Sequence, residues 1–238
     1  VLLWTLLLPS GVLAGALTTV AGVGGGMLLL LVLSLVMSPA EALAITAPAL
    51  FIGNFHRAYR YWSDVDRRTA KAFALGAVPG SLIGGVLVSS IPSTVLAWLL
   101  AGSTALAVAR ALDLLHFQPP PALLTPAGFG IGAASATSGG AGLLLAPVLM
   151  ATGLSGTAYV ATGAAATTAM HAGRIFAYGA SGLVTATTLA ASAMLAASLL
   201  GGNLLGERAR KHLNATRSRR IETTTLVLCV GLALLGLR

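Results

Sequence analysis

Two short runs carry most of the polar chemistry of this chain. Asn54, His56 and Arg57 stand late in one long apolar segment, and His171 and Arg174 stand late in another. Ionisable groups at membrane depth are costly and usually functional. A guanidinium matches the oxygens of a carboxylate or sulfonate in a two-point grip, so Arg57 and Arg174 suit an oxyanion. His56 and His171 can donate to the same anion or carry a proton, because a free imidazole titrates near neutrality. Structural readings stand beside these. Arg57 lies close to Tyr59, Tyr61 and Trp62, a grouping that resembles an interface belt with a snorkelling arginine. Either histidine can equally make a helix-to-helix hydrogen bond.

A second candidate chemistry lies in the backbone. Gly22, Gly24, Gly25 and Gly26 form one glycine cluster, and Gly139, Gly140 and Gly142 form another. Where glycines break a helix, the second half presents unpaired N–H groups and the positive end of its dipole, which suits an anion. Thr18, Thr19, Ser135, Thr137 and Ser138 add neutral hydroxyls beside these breaks. Asn54, Thr46 and Thr162 are expected to face the same cavity from behind. The acidic residues Glu41, Asp64, Asp66, Asp113, Glu207 and Glu222 all fall in loops or at segment ends. Basic groups inside and acidic groups outside favour an anionic cargo over a cation.

Other chemistries find little support. His56, His116, His171 and His212 lack metal-ligand spacing, and Cys229 stands alone. Gly179-Ala180-Ser181-Gly182 resembles the serine motif of intramembrane proteases, but the one histidine after it, His212, lies in a basic loop. No enzyme, cofactor or metal is implied. A pI near 10.8 and net charge +8 would ordinarily suggest nucleic acid. Here the basic residues sit between apolar runs, where they set membrane orientation instead.

These residues need a bilayer to position them. Of 238 residues, 56% are hydrophobic and only 20 are charged (14 Lys and Arg, 6 Asp and Glu), with mean hydropathy +0.90. So few charges cannot cover a water-facing globule of this size. Apolar segments run at about 1–37, 39–62, 70–90, 93–115, 122–152, 155–179, 183–206 and 221–237. At ~20 residues per crossing this is an all-α polytopic membrane protein. Its hydrophobicity continues well past a signal-peptide core, so removal of the first segment is not expected. Abundant Gly and Ala predict closely packed helices.

The chain reads as a duplication. Ala21–Leu29 matches Thr137–Leu145, and Thr46 falls on Thr162 at the same offset. With a one-residue slip Arg57 falls on Arg174, Tyr61 on Tyr178, and Ser81–Gly85 on Ser198–Gly202. The expected units are 1–117 and 122–238, joined by a Pro-rich linker at 118–121. Charge orients them. In the first unit the basic loop (Arg60, Arg67, Arg68, Lys71) follows the second segment; in the second unit it follows the third (Arg208, Arg210, Lys211, Arg217, Arg219, Arg220). Both loops and Arg110 face the cytoplasm only if each unit crosses an odd number of times, which makes the units two inverted repeats. The first segment of each is then the element that breaks parity. At ~55 Å as one rod, 1–37 outruns a ~30 Å core. We expect a glycine-broken, re-entrant pair of half-helices there and three transmembrane helices after it; one long tilted helix is the competing reading.

Three stretches give this layout a family likeness. Gly22-Val23-Gly24-Gly25-Gly26 followed by leucines, Asp64-Val65-Asp66-Arg67-Arg68 after the second segment, and its counterpart Gly182-Leu183-Val184-Thr185 resemble the sulfite exporter TauE/SafE family over nearly the whole chain. The second glycine stretch lacks the full triplet, and the second loop lacks the aspartates. The resemblance implies secondary transport of sulfur-containing anions such as sulfite, sulfoacetate or other organosulfonates. The expectation is therefore a multi-pass carrier of the bacterial inner membrane, working by alternating access on a small anionic substrate, with protons as a conjectured coupling ion. No residue pattern specifies an oligomeric state. The alternatives are a carrier of another small anion or metabolite, and a membrane scaffold or accessory subunit that transports nothing.

Overall fold

A computed structural model of the protein describes residues 2–21, 24–111, 114 and 120–236. Among the described residues it is all-helical, with ten α-helices and no strand. In chain order they are α1 (Leu2–Ala21), α2 (Gly25–Ser34), α3 (Pro39–Arg60), α4 (Arg67–Val88), α5 (Ser93–Ala111), α6 (Leu124–Ser138), α7 (Ala141–Ala151), α8 (Gly156–Ala180), α9 (Ala186–Arg210) and α10 (Ala215–Gly236).

The glycine clusters break both first segments, as their composition predicts. α1 stops at Ala21 and α2 starts at Gly25; α6 stops at Ser138 and α7 starts at Ala141. Gly24 (φ +95°), Gly139 (φ +70°) and Gly140 (φ +71°) take left-handed backbone, which a side chain would strain. The chain turns back after α1, so Gly25 lies against the Ala14 carbonyl and the Thr18 hydroxyl. Gly22 lies outside the described residues.

Local signals start the remaining helices. Ser38 and Glu41 form a capping box at α3 with Pro39 at its first turn, and Thr185 with Thr188 does the same for α9. Asp66 caps α4 by accepting from the Thr69 amide at 2.7 Å. That amide, first among several contributions, holds the Asp66 carboxyl below the usual aspartate range. A carboxyl whose pKa is lowered by folding stabilises the fold above its unfolded value of about 3.9 and loses that effect as pH falls through the folded value. Asp66→Ala is expected to lower stability at neutral pH by about 1 kcal/mol, a typical cap contribution. The deficit should shrink as pH drops below about 4, which thermal unfolding in detergent would read.

Two glycine stripes set the helix pairs. Gly76, Gly80 and Gly84 of α4 face the carbonyls of Thr125, Phe129 and Ala133 on α6, while Gly128 and Gly132 face those of Phe73 and Ala77 in return. Gly11 and Gly15 of α1 meet Leu195 and Leu199 of α9, and Gly202 and Gly206 meet Val12 and Ala16. Without side chains between them, the backbones approach to contact. Residue numbers rise together across each pair, so α4 runs parallel to α6 and α1 parallel to α9. Asp66 meets Thr162 and Gly85 meets Ala177, so α8 also runs with α4. Ser192 reaches Ile45 and Asn203 reaches Gly53, so α3 runs with α9.

The outer surface carries the apolar side chains that a soluble protein hides. Phe55, Tyr59, Leu75, Ile83, Trp98, Phe176, Leu204, Leu205 and Leu228 are all at least half exposed. Such an area is too large and too apolar for water but suits lipid. α4 and α9 satisfy the length and hydropathy of a bilayer span by themselves. α3 and α8 are 22 and 25 residues long, yet each carries a polar stripe turned inward that lowers its mean hydropathy.

Candidate functional site

The breaks in the first segments meet at one cavity of about 70 Å³. That is room for a few waters or one small ion. Gly24, Gly26, Met27 and Leu30 line it from α2, and Gly139, Gly140, Gly142, Leu145 and Leu149 line it from α7 and its entry. α3 contributes Thr46, Leu50, Asn54 and Arg57; α8 contributes Val160, Gly163, Ala164, Thr167, His171 and Arg174. Both sets recur every three or four residues, as one helix face must. Thr18 of α1 and Tyr159 complete the lining.

Electrostatically the cavity is positive. The α2 and α7 N-termini open onto it with Gly24 and Gly140 as N-caps, and neither supplies a capping side chain. Their first-turn amides therefore bring partial positive charge from both halves of the chain. Arg57 is 6% exposed and Arg174 is 1% exposed. Arg57 donates through Nη1 to the Thr18 carbonyl at 3.0 Å and through Nη2 to Asn54 Oδ1, while its Nε–H has no partner. Arg174 donates through Nε to the Tyr178 hydroxyl at 3.2 Å, lies 5.6 Å from the Tyr178 ring centre, and meets His171 Nδ1 through Nη1 at 3.2 Å; its Nη2 has no partner. Tyr178 in turn donates a hydrogen bond from its hydroxyl to the Ala136 carbonyl of α6. The partners of both guanidiniums are neutral groups, so two buried positive charges line one small space, and each keeps one buried N–H without a protein partner. That is an arrangement for an anion.

Arg57 does not snorkel, despite its aromatic neighbours. Phe51, Phe55 and Tyr59 stack along the lipid side of α3, and the guanidinium turns the other way, under α1. Of the other residues expected here, Thr46, Asn54, His171, Gly24, Gly26, Gly139 and Gly140 line the cavity. Gly25 lies behind it against α1. His56 is outside the lining, half-buried on α3 with a buried Nδ1 that has no protein partner.

The hydroxyls expected to donate are already engaged. Thr18 donates to Ala14 at 2.6 Å, Thr46 to Ala42 at 2.8 Å, Thr137 to Ala134 at 3.0 Å and Ser138 to Ala134 at 2.7 Å, each to a carbonyl one turn back. Thr19 instead donates to Asn203 Oδ1 at 3.1 Å, and Asn203 donates to the Gly53 carbonyl at 3.2 Å, a bridge across α1, α9 and α3. Thr162 accepts the Asp66 amide at 2.9 Å and fixes the start of α4, away from the cavity. The reason is register. Offset by 117, the α3 stripe Thr46, Leu50, Asn54, Arg57 falls on Gly163, Thr167, His171, Arg174, which is the α8 stripe. The slip therefore lies before Thr46, and the cavity counterpart of Thr46 is Gly163.

Three residues of this site escape a reading by residue type. Thr167, Tyr159 and Tyr178 are ordinary core residues in isolation. The signal for Thr167 is its spacing of four from His171, and for Tyr178 its spacing of four from Arg174.

A family model described as sulfite exporter TauE/SafE matches residues 7–234. No curated protein and no solved structure matches the chain.

Proposed function

The chain belongs to the sulfite exporter TauE/SafE family, and from that membership we propose that it exports small sulfur-containing anions, sulfite or organosulfonates, across the bacterial inner membrane. It is a transmembrane transport protein by family, and the cavity supplies the chemistry. The observation that carries the reading is the pair of buried guanidiniums, each with an unfilled N–H, beside two uncapped half-helix N-termini. An oxyanion of one or two charges satisfies all four features at once.

Alternating access follows from inverted halves, 1–117 and 122–238, linked through 118–121. The reading is supported by reciprocal pairing. α1 packs on α9 while its counterpart α6 packs on α4, with parallel directions inside each pair. The turn that ends α3 packs on α8, where Thr162 near the start of that helix accepts the Asp66 amide, so α3 runs against α8; α1, α3 and α9 therefore point one way and α4, α6 and α8 the other. Rocking one half against the other then moves the cavity between the two sides.

Two experiments test this. Purified protein is expected to bind sulfite and sulfoacetate saturably, with taurine and sulfate as discriminating ligands. Absence of saturable binding by all four in folded protein would refute the substrate class, and binding without flux in proteoliposomes would refute the carrier. For orientation, Ser63→Cys and Asn214→Cys are each introduced with the buried Cys229 replaced by serine. Both should label from the cytoplasmic side alone; labelling from opposite sides would overturn the inversion.

A further inference from the structure

The two halves of the site differ at one position. Each buried arginine is held by the residue three places before it: Asn54 for Arg57 and His171 for Arg174. The offset that superposes the two cavity stripes superposes Asn54 on His171, so a residue that cannot titrate faces one that can.

A guanidinium has donors only, so the 3.2 Å contact between Arg174 Nη1 and His171 Nδ1 is a hydrogen bond when Nδ1 is the bare acceptor and the ring hydrogen sits on Nε2. The surroundings agree. Arg174 and Tyr178 face His171 from its own helix, and Tyr159 lines the same cavity; from α3, Arg57 shares the cavity and His56 lies outside its lining. α6 and α7 contain no titratable residue. Those of α4, Arg67, Arg68 and Lys71, lie in its first turns, and its N-cap Asp66 sits at the same end against Thr162, about two and a half turns of α8 from His171, with Asp64 in the short turn just before. Two positive charges and no negative one oppose a third.

An anion in the cavity reverses that balance. An oxygen between Arg174 and His171 accepts from Nη1 and from a hydrogen on Nδ1 together; the neutral Nδ1–H tautomer can supply that hydrogen too, and the charge of the anion is what favours the doubly protonated imidazolium over it. Resting on the anion-site reading, we propose that His171 takes up one proton with each bound anion, so that the protein carries the two as a pair. The proton comes from solution, adds to Nδ1 and returns to solution when the anion leaves. Asn54 holds Arg57 in the same way without a proton, which makes the stoichiometry one per site rather than two.

The test uses methanesulfonate, whose charge does not change across the working range, so that any pH dependence belongs to the protein. Calorimetry in buffers of different ionisation enthalpy counts protons. Wild type at about pH 8 is expected to take up close to one proton per anion, with affinity falling about tenfold per pH unit above the imidazole's free range. His171→Asn installs the residue that the other half already uses. It should bind with no proton uptake and a flat pH profile from about pH 5.5 to 8.5. Asn54→His should raise the uptake above one proton per anion bound. Wild-type binding without proton uptake, or uptake that survives in His171→Asn, would overturn the proposal while leaving the anion site standing. Should His171→Asn fail to fold, the wild-type proton count and the Asn54→His variant decide alone. Failure of wild type to bind methanesulfonate, sulfite and sulfate alike would remove the anion site itself, and this proposal with it.

Discussion

Replacing Arg174 with glutamine is expected to abolish anion binding and flux while leaving the fold intact or slightly more stable. The opposed signs are what make the experiment informative. Truncating one partner of a buried, hydrogen-bonded charge pair removes about 3 kcal/mol or more, a loss in affinity of about 100-fold or greater. Yet in the empty protein Arg174 is 1% exposed, held by a phenol and a neutral imidazole, and leaves one nitrogen unfilled. A buried charge without a counterion destabilises, so its removal should not lower the melting temperature. Binding isotherms and thermal unfolding of the same preparations check this. Lost binding together with a large fall in stability would make Arg174 a structural residue. Arg57→Gln should follow the same pattern more weakly, because Arg57 also ties α3 to the Thr18 carbonyl of α1.

The second large effect lies in the glycine stripes. A methyl group at Gly80 would collide with the Phe129 carbonyl of α6, and one at Gly202 with the Val12 carbonyl of α1. Neither backbone can yield without separating its pair of helices. Gly80→Ala and Gly202→Ala are each expected to cost about 2 kcal/mol or more, and Gly80→Leu to prevent folding. Gly130 and Gly201 give the control, since nothing lies within 4 Å of a Cβ at either. Alanine there relieves glycine's helix penalty and should raise stability by up to about 1 kcal/mol. Thermal unfolding in detergent distinguishes the two classes by sign. Equal responses at all four positions would show that close backbone approach does not hold this fold together.

These two expectations differ in how far the sequence alone leads to them. The breaks at the glycine clusters are legible because a 37-residue apolar run cannot span a bilayer as one rod, and because the clusters recur at matching places. The two arginines stand out because ionisable groups are rare inside apolar segments, but the aromatic neighbours of Arg57 fit a snorkelling residue equally well in sequence, and its burial comes from the structure. The pairing of α4 with α6 and α1 with α9 is written in glycines spaced by four, but spacing alone does not say which stripe meets which. The Thr162 assignment shows a different boundary. Matching by residue identity placed it opposite Thr46, whereas geometry makes Gly163 that counterpart and turns Thr162 into a peg for α4. A glycine standing at the position where a threonine is expected leaves no trace in composition. The hydroxyls carry a similar lesson. Thr18, Thr46, Thr137 and Ser138 stand where an anion would want donors, but a helix one turn back offers each a carbonyl first. The amides and guanidiniums are what remain.

The central claim is that one anion sits between the two broken segments, and selenite reports it most directly. Selenite has the shape and charge of sulfite, and selenium gives an anomalous signal that identifies its position in crystals of the protein. The account predicts a single strong peak bounded by Gly24 and Gly26, Gly140 and Gly142, Arg57 and Arg174, lost in Arg174→Gln. A cavity without the peak at saturating selenite, or peaks confined to the basic loops around 63–71 and 207–220, would contradict it.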